Sequence, residues 1–199
     1  MHKRGMLIII SGPSGVGKDT VVNRYLQKNQ NYVLSVSATT REPRAGEHDG
    51  VHYFYESREE FSKKIKNGDM LEYAEYNGNF YGTPADNVEK MRAEGKNVIL
   101  VIEVKGAKKV KKLCPEAVLV FIMPPTVEEL RNRLKNRGTE AQEVVDERMR
   151  VAVLEMEEAF GYDYVLVNEN IDECMAELEK VFSVAARSPK HAPEILKGE

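Results

Sequence analysis

Gly12-Pro13-Ser14-Gly15-Val16-Gly17-Lys18-Asp19-Thr20 is the stretch on which the fold turns. Before it runs Met6 to Ile10, an apolar segment with the length of a buried strand. After it, Val22, Tyr25 and Leu26 recur at helical spacing, which predicts a helix from about Lys18 to Gln30. Strand, glycine-rich loop and helix together are the context of a phosphate-binding loop. The glycines let the backbone curl until successive N–H groups face inward. The helix start adds unpaired N–H groups and the positive end of its dipole. Lys18 supplies a charge that reaches outer phosphates, so Gly12 to Thr20 reads as the cradle of a nucleoside triphosphate. One detail departs from the common pattern: Asp19 follows the lysine where a hydroxyl residue usually stands, and Thr20 comes one later.

Working outward, apolar runs at about 6–11, 32–38, 97–103, 117–123 and 164–168 alternate with helical patterns. Runs without polar alternation suit a parallel sheet covered on both faces. The fold class is therefore α/β: a five-stranded parallel sheet flanked by helices, with a small β-rich insertion and a second, helical and basic one. In the insertion, His52 to Tyr55 is a short strand, and Ser57-Arg58-Glu59-Glu60 is a capping box before a short helix ending at Asn67-Gly68. Met70 to Tyr76 alternates as a strand, with Glu72 on the Met70 and Ala74 side. Asn77-Gly78 predicts a hairpin turn, and Thr83-Pro84 predicts a capped helix start. Farther on, Thr126-Val127-Glu128-Glu129 caps a basic helix that Gly138-Thr139 breaks. Val145, Met149, Ala152, Met156 and Phe160 lie on one face of the helix that follows. The chain is expected to form a single domain: core at about 5–38, 84–124 and 160–187, insertion at 39–83, lid at 125–159, and a frayed tail at 188–199.

Composition narrows the class. The 199 residues carry a net charge of −3, unlike a dedicated nucleic-acid binder. No stretch approaches the ~20 apolar residues of a membrane helix. Cys114 and Cys174 form no C-x-x-C pair, and the four histidines lack metal-ligand spacing. A cytoplasmic protein without nucleic-acid or membrane partners is expected.

Three further clusters carry candidate chemistry. Ser37, Arg41, Arg44 and Tyr53 could form a second anion pocket, since arginine grips phosphate bidentately; read alone, the arginines could equally be solvated. Glu72, Tyr81 and Thr83 surround the Asn77-Gly78 hairpin. Glu72 could accept from a base presenting adjacent N–H groups, or could be a rim carboxylate. Arg133, Arg137 and Arg148 could bring charge onto a transferring phosphoryl group, or could line a solvated helix face.

In order along the chain, Gly12–Thr20, Ser35–Glu47, Asn79-Phe80-Tyr81-Gly82-Thr83 and Arg137-Gly138-Thr139-Glu140 resemble the motifs of guanylate kinases. The resemblance covers about residues 5–185. It implies a P-loop nucleoside monophosphate kinase of purine metabolism that uses ATP and Mg2+ to phosphorylate GMP and also dGMP. By the same resemblance, Ser37, Arg41, Arg44, Tyr53 and Tyr81 hold the GMP phosphate, Glu72 and Thr83 read guanine, and Glu103 lies near GMP and magnesium. Lys18, Arg137 and Arg148 serve the transferring phosphate, and Asn168 approaches adenine. Thr20 holds magnesium, partly through water, while Asp19 is expected to point away from the triphosphate or reach the metal through water. Two positions depart from the family pattern: Val101 stands where an acid is usual, and Lys105 where Gln is common. A non-enzymatic guanylate-kinase-like module, or a kinase for another acceptor such as a ribosyl bisphosphate, is the alternative.

Overall fold

The computed structural model of the chain describes residues 4–136 and 142–191. In chain order the elements are β1 (Leu7–Ser11), α1 (Lys18–Lys28), β2 (Tyr32–Leu34), β3 (Ala38–Thr39), β4 (Phe54–Tyr55), α2 (Arg58–Asn67), β5 (Met70–Tyr76) and β6 (Asn79–Pro84). They continue with α3 (Ala85–Ala93), β7 (Asn97–Val101), α4 (Val104–Leu113), β8 (Val118–Met123), α5 (Val127–Asn136), α6 (Gln142–Glu157), β9 (Tyr164–Val167) and α7 (Ile171–Ala185).

The main sheet has five strands in the order β2-β7-β1-β8-β9. Every pairing in it is parallel. β1 explains the non-alternating apolar run. Ile8 and Ile10 pack on one face with Tyr25 of α1, Leu130 and Leu134 of α5, and Leu178 and Phe182 of α7. Leu7 and Ile9 pack on the other with Val88 of α3 and Ala107 and Val110 of α4. A strand buried on both faces has no polar side to show. Parallel pairing also gathers all strand C-termini along one edge, where α/β proteins bind ligands. The loops after β1, β2, β7, β8 and β9 therefore meet there.

A second sheet, in the order β4-β3-β6-β5, stands beyond that edge. β5 and β6 form the antiparallel hairpin expected at Asn77-Gly78, and Asn77 takes a left-handed φ of 47°. The capping box before α2 is present in both directions between Ser57 and Glu60. Thr126 caps α5 through its hydroxyl, which accepts from the Glu129 amide.

Several expectations are corrected. The run Tyr32–Ala38 is not one strand. Ser35 N–H makes the last bond to β7, at Ile99 O, and Ser37 O already accepts from Phe54 N in the second sheet. The chain thus leaves one ladder and joins the other between Ser35 and Ser37. Helix α4 lies in a segment for which no element was predicted; its lysines mask the Val104, Ala107 and Val110 face. Thr83 is not a helix cap: Pro84 occupies that position, and Thr83 belongs to β6. Phe160 does not continue the apolar face of α6. It sits in a 3-10 turn, Glu158–Gly161, and is 98% exposed. The Met70–Ala74 alternation is also broken. The register shifts between Met70 and Glu72, so Met70 packs with Phe61 while Glu72 turns to α4. A bulge of this kind re-aims one side chain without ending the strand.

Candidate active site

The glycine loop closes between β1 and α1. Gly17 caps the helix in the left-handed region, at φ 96°. A side chain there would be strained, and its Cβ would lie 2.7 Å from Asn168 Nδ2. Asn168, 3% exposed, follows β9 and donates from Nδ2 to the Val16 carbonyl at 2.7 Å. Among the described residues its Oδ1 has no hydrogen-bond partner. Lys18 Nζ folds back over the loop and donates to the carbonyls of Gly12 (2.6 Å) and Pro13 (3.1 Å). On the other side, Arg148 of α6 donates to Ser14 Oγ at 2.8 Å. Arg133 of α5 leans toward the Val16 carbonyl at 3.4 Å. Asp19 and Thr20 are exposed in the first turn of α1.

Across the edge is a cleft of about 140 Å³, lined by Asp19, Ser37, His52, Tyr53, Thr83 and Val101 among others. Asp19 thus belongs to the wall shared with the second anion cluster. A larger groove of about 610 Å³ lies between α5 and α6, around Arg131 and Met149, and contains none of the residues expected to bind ligand. Volume is a poor guide here; converging charge locates the chemistry.

The second anion cluster is preassembled. The Arg41 guanidinium bonds to Glu47 at 3.0 Å and to the Glu42 carbonyl at 2.7 Å. It lies over the ring of Tyr53, 5.6 Å from the centroid, and near that of Tyr55. Tyr53 and Tyr81 meet edge to face at 6.0 Å. Glu47 is the organiser that sequence reading missed. The Arg44 amide, the Tyr55 hydroxyl and Arg41 all donate to it and hold its carboxyl down to about 2. Its place in the Arg41–Glu47 run offered a hint, but a loop glutamate reads as solvated.

At the inner end of the second sheet, Thr83 Oγ1 donates to Glu72 Oε1 at 2.7 Å. Burial pushes the Glu72 carboxyl up, opposed by the Thr83 bond and by Lys109, with Glu103 adding to the rise. Glu103 itself is exposed and occupies the cap position of α4. A further acid escaped sequence reading: Glu155 of α6, where burial raises the carboxyl against the pull of Lys18. Arg137 lies outside the described residues.

The structure therefore brings together, at one sheet edge, Lys18, Asp19, Thr20, Ser37, Tyr53, Thr83, Glu103, Arg148 and Asn168. Glu72 and Tyr81 stand beside them on β5 and β6, and Arg41 and Arg44 in the loop after β3. Magnesium fits this donor set only as a companion of phosphate. Among the described residues no group of three His, Cys, Asp or Glu could hold a metal. Magnesium is commonly held by one or two protein oxygens with substrate phosphates and water completing the shell. Among the described residues no helix is long and apolar enough to cross a membrane.

A parallel sheet with a lysine-bearing glycine loop at its C-terminal edge, facing a second built anion pocket, defines a P-loop nucleoside monophosphate kinase, a transferase. The comparisons with known proteins agree. The guanylate kinase family model matches residues 4–185. A guanylate kinase of Carboxydothermus hydrogenoformans is 45% identical over 190 residues, covering 96% of this chain and 93% of that one. One of Bacillus cereus is 50% identical over 171 residues, 85% of this chain and 83% of its own. The crystal structure of guanylate kinase from Anaplasma phagocytophilum superposes with a TM-score of 0.75 at 34% identity, covering 100% of this chain and 97% of its own. The chain belongs to the guanylate kinase family.

Proposed function

We propose that the protein transfers the γ-phosphoryl group of ATP to GMP, giving ADP and GDP. The observation that carries this reading is the Glu72–Thr83 pair, joined at 2.7 Å beside a second anion cluster and across from the glycine loop. Guanine presents N1–H and a 2-amino group side by side, and an ionised carboxylate accepts from both. Adenine presents an acceptor at N1 and leaves that carboxylate unpaired, so it is rejected. The Thr83 hydroxyl, whose one proton goes to Glu72 in the free protein, would turn that proton to guanine O6 when the base takes up the carboxylate.

Ser37, Arg41, Arg44, Tyr53 and Tyr81 hold the GMP phosphate, with Glu47 keeping Arg41 in place. The loop from Gly12 to Thr20 holds the triphosphate through backbone N–H groups, and Lys18 exchanges its carbonyl partners for phosphate oxygens. Thr20 would hold magnesium, partly through water, with Asp19 and Glu103 as the acids of the same sheet edge; the metal would neutralise charge on the outer phosphates. An oxygen of the GMP phosphate attacks the γ-phosphorus in line as the β–γ bridging oxygen leaves. No side-chain nucleophile is required, because positioning and charge stabilisation do most of the work. Arg148, already on the loop at Ser14, and Arg137 bring positive charge to the transferred group. We read the segment from β3 to β6 as the GMP-binding unit and α5 with α6 as the lid. Both cysteines are free thiols, which fits a reducing compartment such as the cytoplasm. Retention of Lys18 and Arg148 argues against a binding module that has lost its donor site.

A coupled assay of ADP formation with GMP, dGMP, AMP, UMP and CMP tests the reading. GMP is expected to accelerate ADP release far more than AMP, UMP or CMP does. Equal rates with AMP, or no acceleration by GMP, would overturn it.

A further inference from the structure

Gly106 stands in the first turn of α4, buried, and its φ is not among the positive ones. Alanine could adopt this backbone, and glycine in a helix costs roughly 0.5–1 kcal/mol relative to it. The backbone gives no reason for a glycine here. The surroundings do. A Cβ on Gly106 would lie 2.9 Å from Glu72 Oε2 and 3.3 Å from Glu72 Cδ and Cγ. These three atoms of one side chain are its nearest neighbours. Other close glycines differ: a Cβ on Gly5 would strike the Lys96 carbonyl at 1.8 Å, and one on Gly82 the Glu72 carbonyl at 2.7 Å. Those glycines are demanded by the backbone of the fold. At Gly106 the obstacle is the movable end of a side chain, so the fold can yield and the carboxylate cannot stay where it is.

The Glu72 carboxylate is fixed from two other directions. Thr83 Oγ1 bonds Oε1 at 2.7 Å, and the register shift after Met70 sets the direction of the side chain. Gly106 closes the third side. One turn away on the same helix, Lys109 and Glu103 act on the charge of Glu72. Helix α4 is therefore the floor under the carboxylate.

We propose that Gly106 is a positioning residue for base selection: its bare Cα makes the space in which the Glu72 carboxylate lies against Thr83, and that placement fits it to guanine. The proposal rests on the reading that Glu72 accepts from guanine. The three atoms nearest that Cβ all belong to Glu72, so its effect is expected first at the acceptor base.

The test uses the full chain with Gly106→Ala, measured by steady-state kinetics with GMP, AMP and ATP and by thermal unfolding. The KM for GMP is expected to rise about tenfold or more, the scale of one misplaced methyl group in a specificity pocket, and the preference for GMP over AMP to narrow. The KM for ATP should not move, and the melting temperature should stay level or rise, as helix propensity dictates. A purely structural glycine would give the opposite pattern: a lower melting temperature with both substrates weakened together. That result, or an unchanged KM for GMP, overturns the proposal. A double-mutant cycle gives a second criterion. In the Glu72→Ala background there is no carboxylate to displace, so adding Gly106→Ala should change the KM for GMP by less than about twofold. Penalties that simply multiply would also overturn the proposal. Glu72→Gln separates the two levels of inference. If it leaves the GMP preference intact, the Glu72 reading and the proposal fall together. If it abolishes the preference while Gly106→Ala does nothing, only the proposal falls.

Discussion

Asn168 shows how a residue far from the chemistry in sequence can set it. The Val16–Gly17 peptide is planar, and its C=O and N–H point in opposite directions. Holding the Val16 carbonyl with the Asn168 amide at 2.7 Å therefore fixes the plane of this peptide and with it the direction of the Gly17 N–H. Losing a buried hydrogen bond of this kind costs about 1–3 kcal/mol. Asn168→Ala is expected to weaken ADP and inorganic tripolyphosphate by the same factor, about tenfold, in calorimetric titrations. A loss confined to ADP would move Asn168's role from the loop to the adenine. Glu47 gives a second residue-scale prediction. Its carboxyl lies near 2 in the folded protein against an ordinary value of 4.5. A lowered folded value means that its stabilising effect is complete above about pH 4.5 and is lost as the pH falls toward 2. Glu47→Gln should flatten the fall of stability between those limits in acid-unfolding curves; an unchanged acid limb would show that Glu47 is not held by its three donors.

The elements differ in how far local chemistry specifies them. α2 is specified twice over, by the Ser57–Glu60 box at one end and by Gly68 in the left-handed region at the other. Ser57→Ala is expected to cost about 1 kcal/mol. In a chain of this size that lowers the melting temperature by roughly 2–4 °C, with ATP affinity unchanged. A shift below a degree would mean that packing of Phe61, not the cap, holds this helix. β5 is different. Its alternation was legible, but the bulge at Met70–Glu72 was not, and the bulge decides which helix Glu72 meets. α4 carries only Val104, Gly106, Ala107 and Val110 as buried residues among its lysines. Val104, Ala107 and Val110 recur at helical spacing among the lysines, so the signal for this helix is present in the sequence, and the sheet supplies the surface that covers it.

At the scale of the molecule, a chain of net charge −3 must admit two polyanions. The cations of the cleft already have internal acceptors: Lys18 on the loop carbonyls, Arg41 on Glu47, Arg148 on Ser14. On the proposed reading, substrate phosphates exchange for these partners, and the cations stay poised without collapsing the cleft. The attraction is local and open to screening. Raising the ionic strength from about 0.01 M to about 0.1 M shortens the Debye length from ~30 to ~10 Å. The KM values for ATP and GMP should both rise severalfold over that range; constant values would mean that hydrogen-bond geometry, not field, dominates capture.

The amino-acid sequence by itself determined the glycine loop, the five-strand parallel core, the hairpin, the caps at Ser57 and Thr126, and the family. Each of these is encoded in neighbours along the chain: φ-permissive glycines, apolar runs, and hydroxyl-to-acid spacings of three. It also singled out most of the residues that the structure gathers around the cleft, because they lie in short runs at the ends of strands. Only the tertiary structure decided that Tyr32–Ala38 divides between two sheets, that Glu47 organises Arg41, that Asn168 clamps Val16, and that Gly106 makes room for Glu72. In each case the partners are brought together by strand order or by a register shift. Neither a parallel-sheet order nor a bulge leaves a mark in the local pattern of residues, because both are settled by which surfaces pack once the chain has folded.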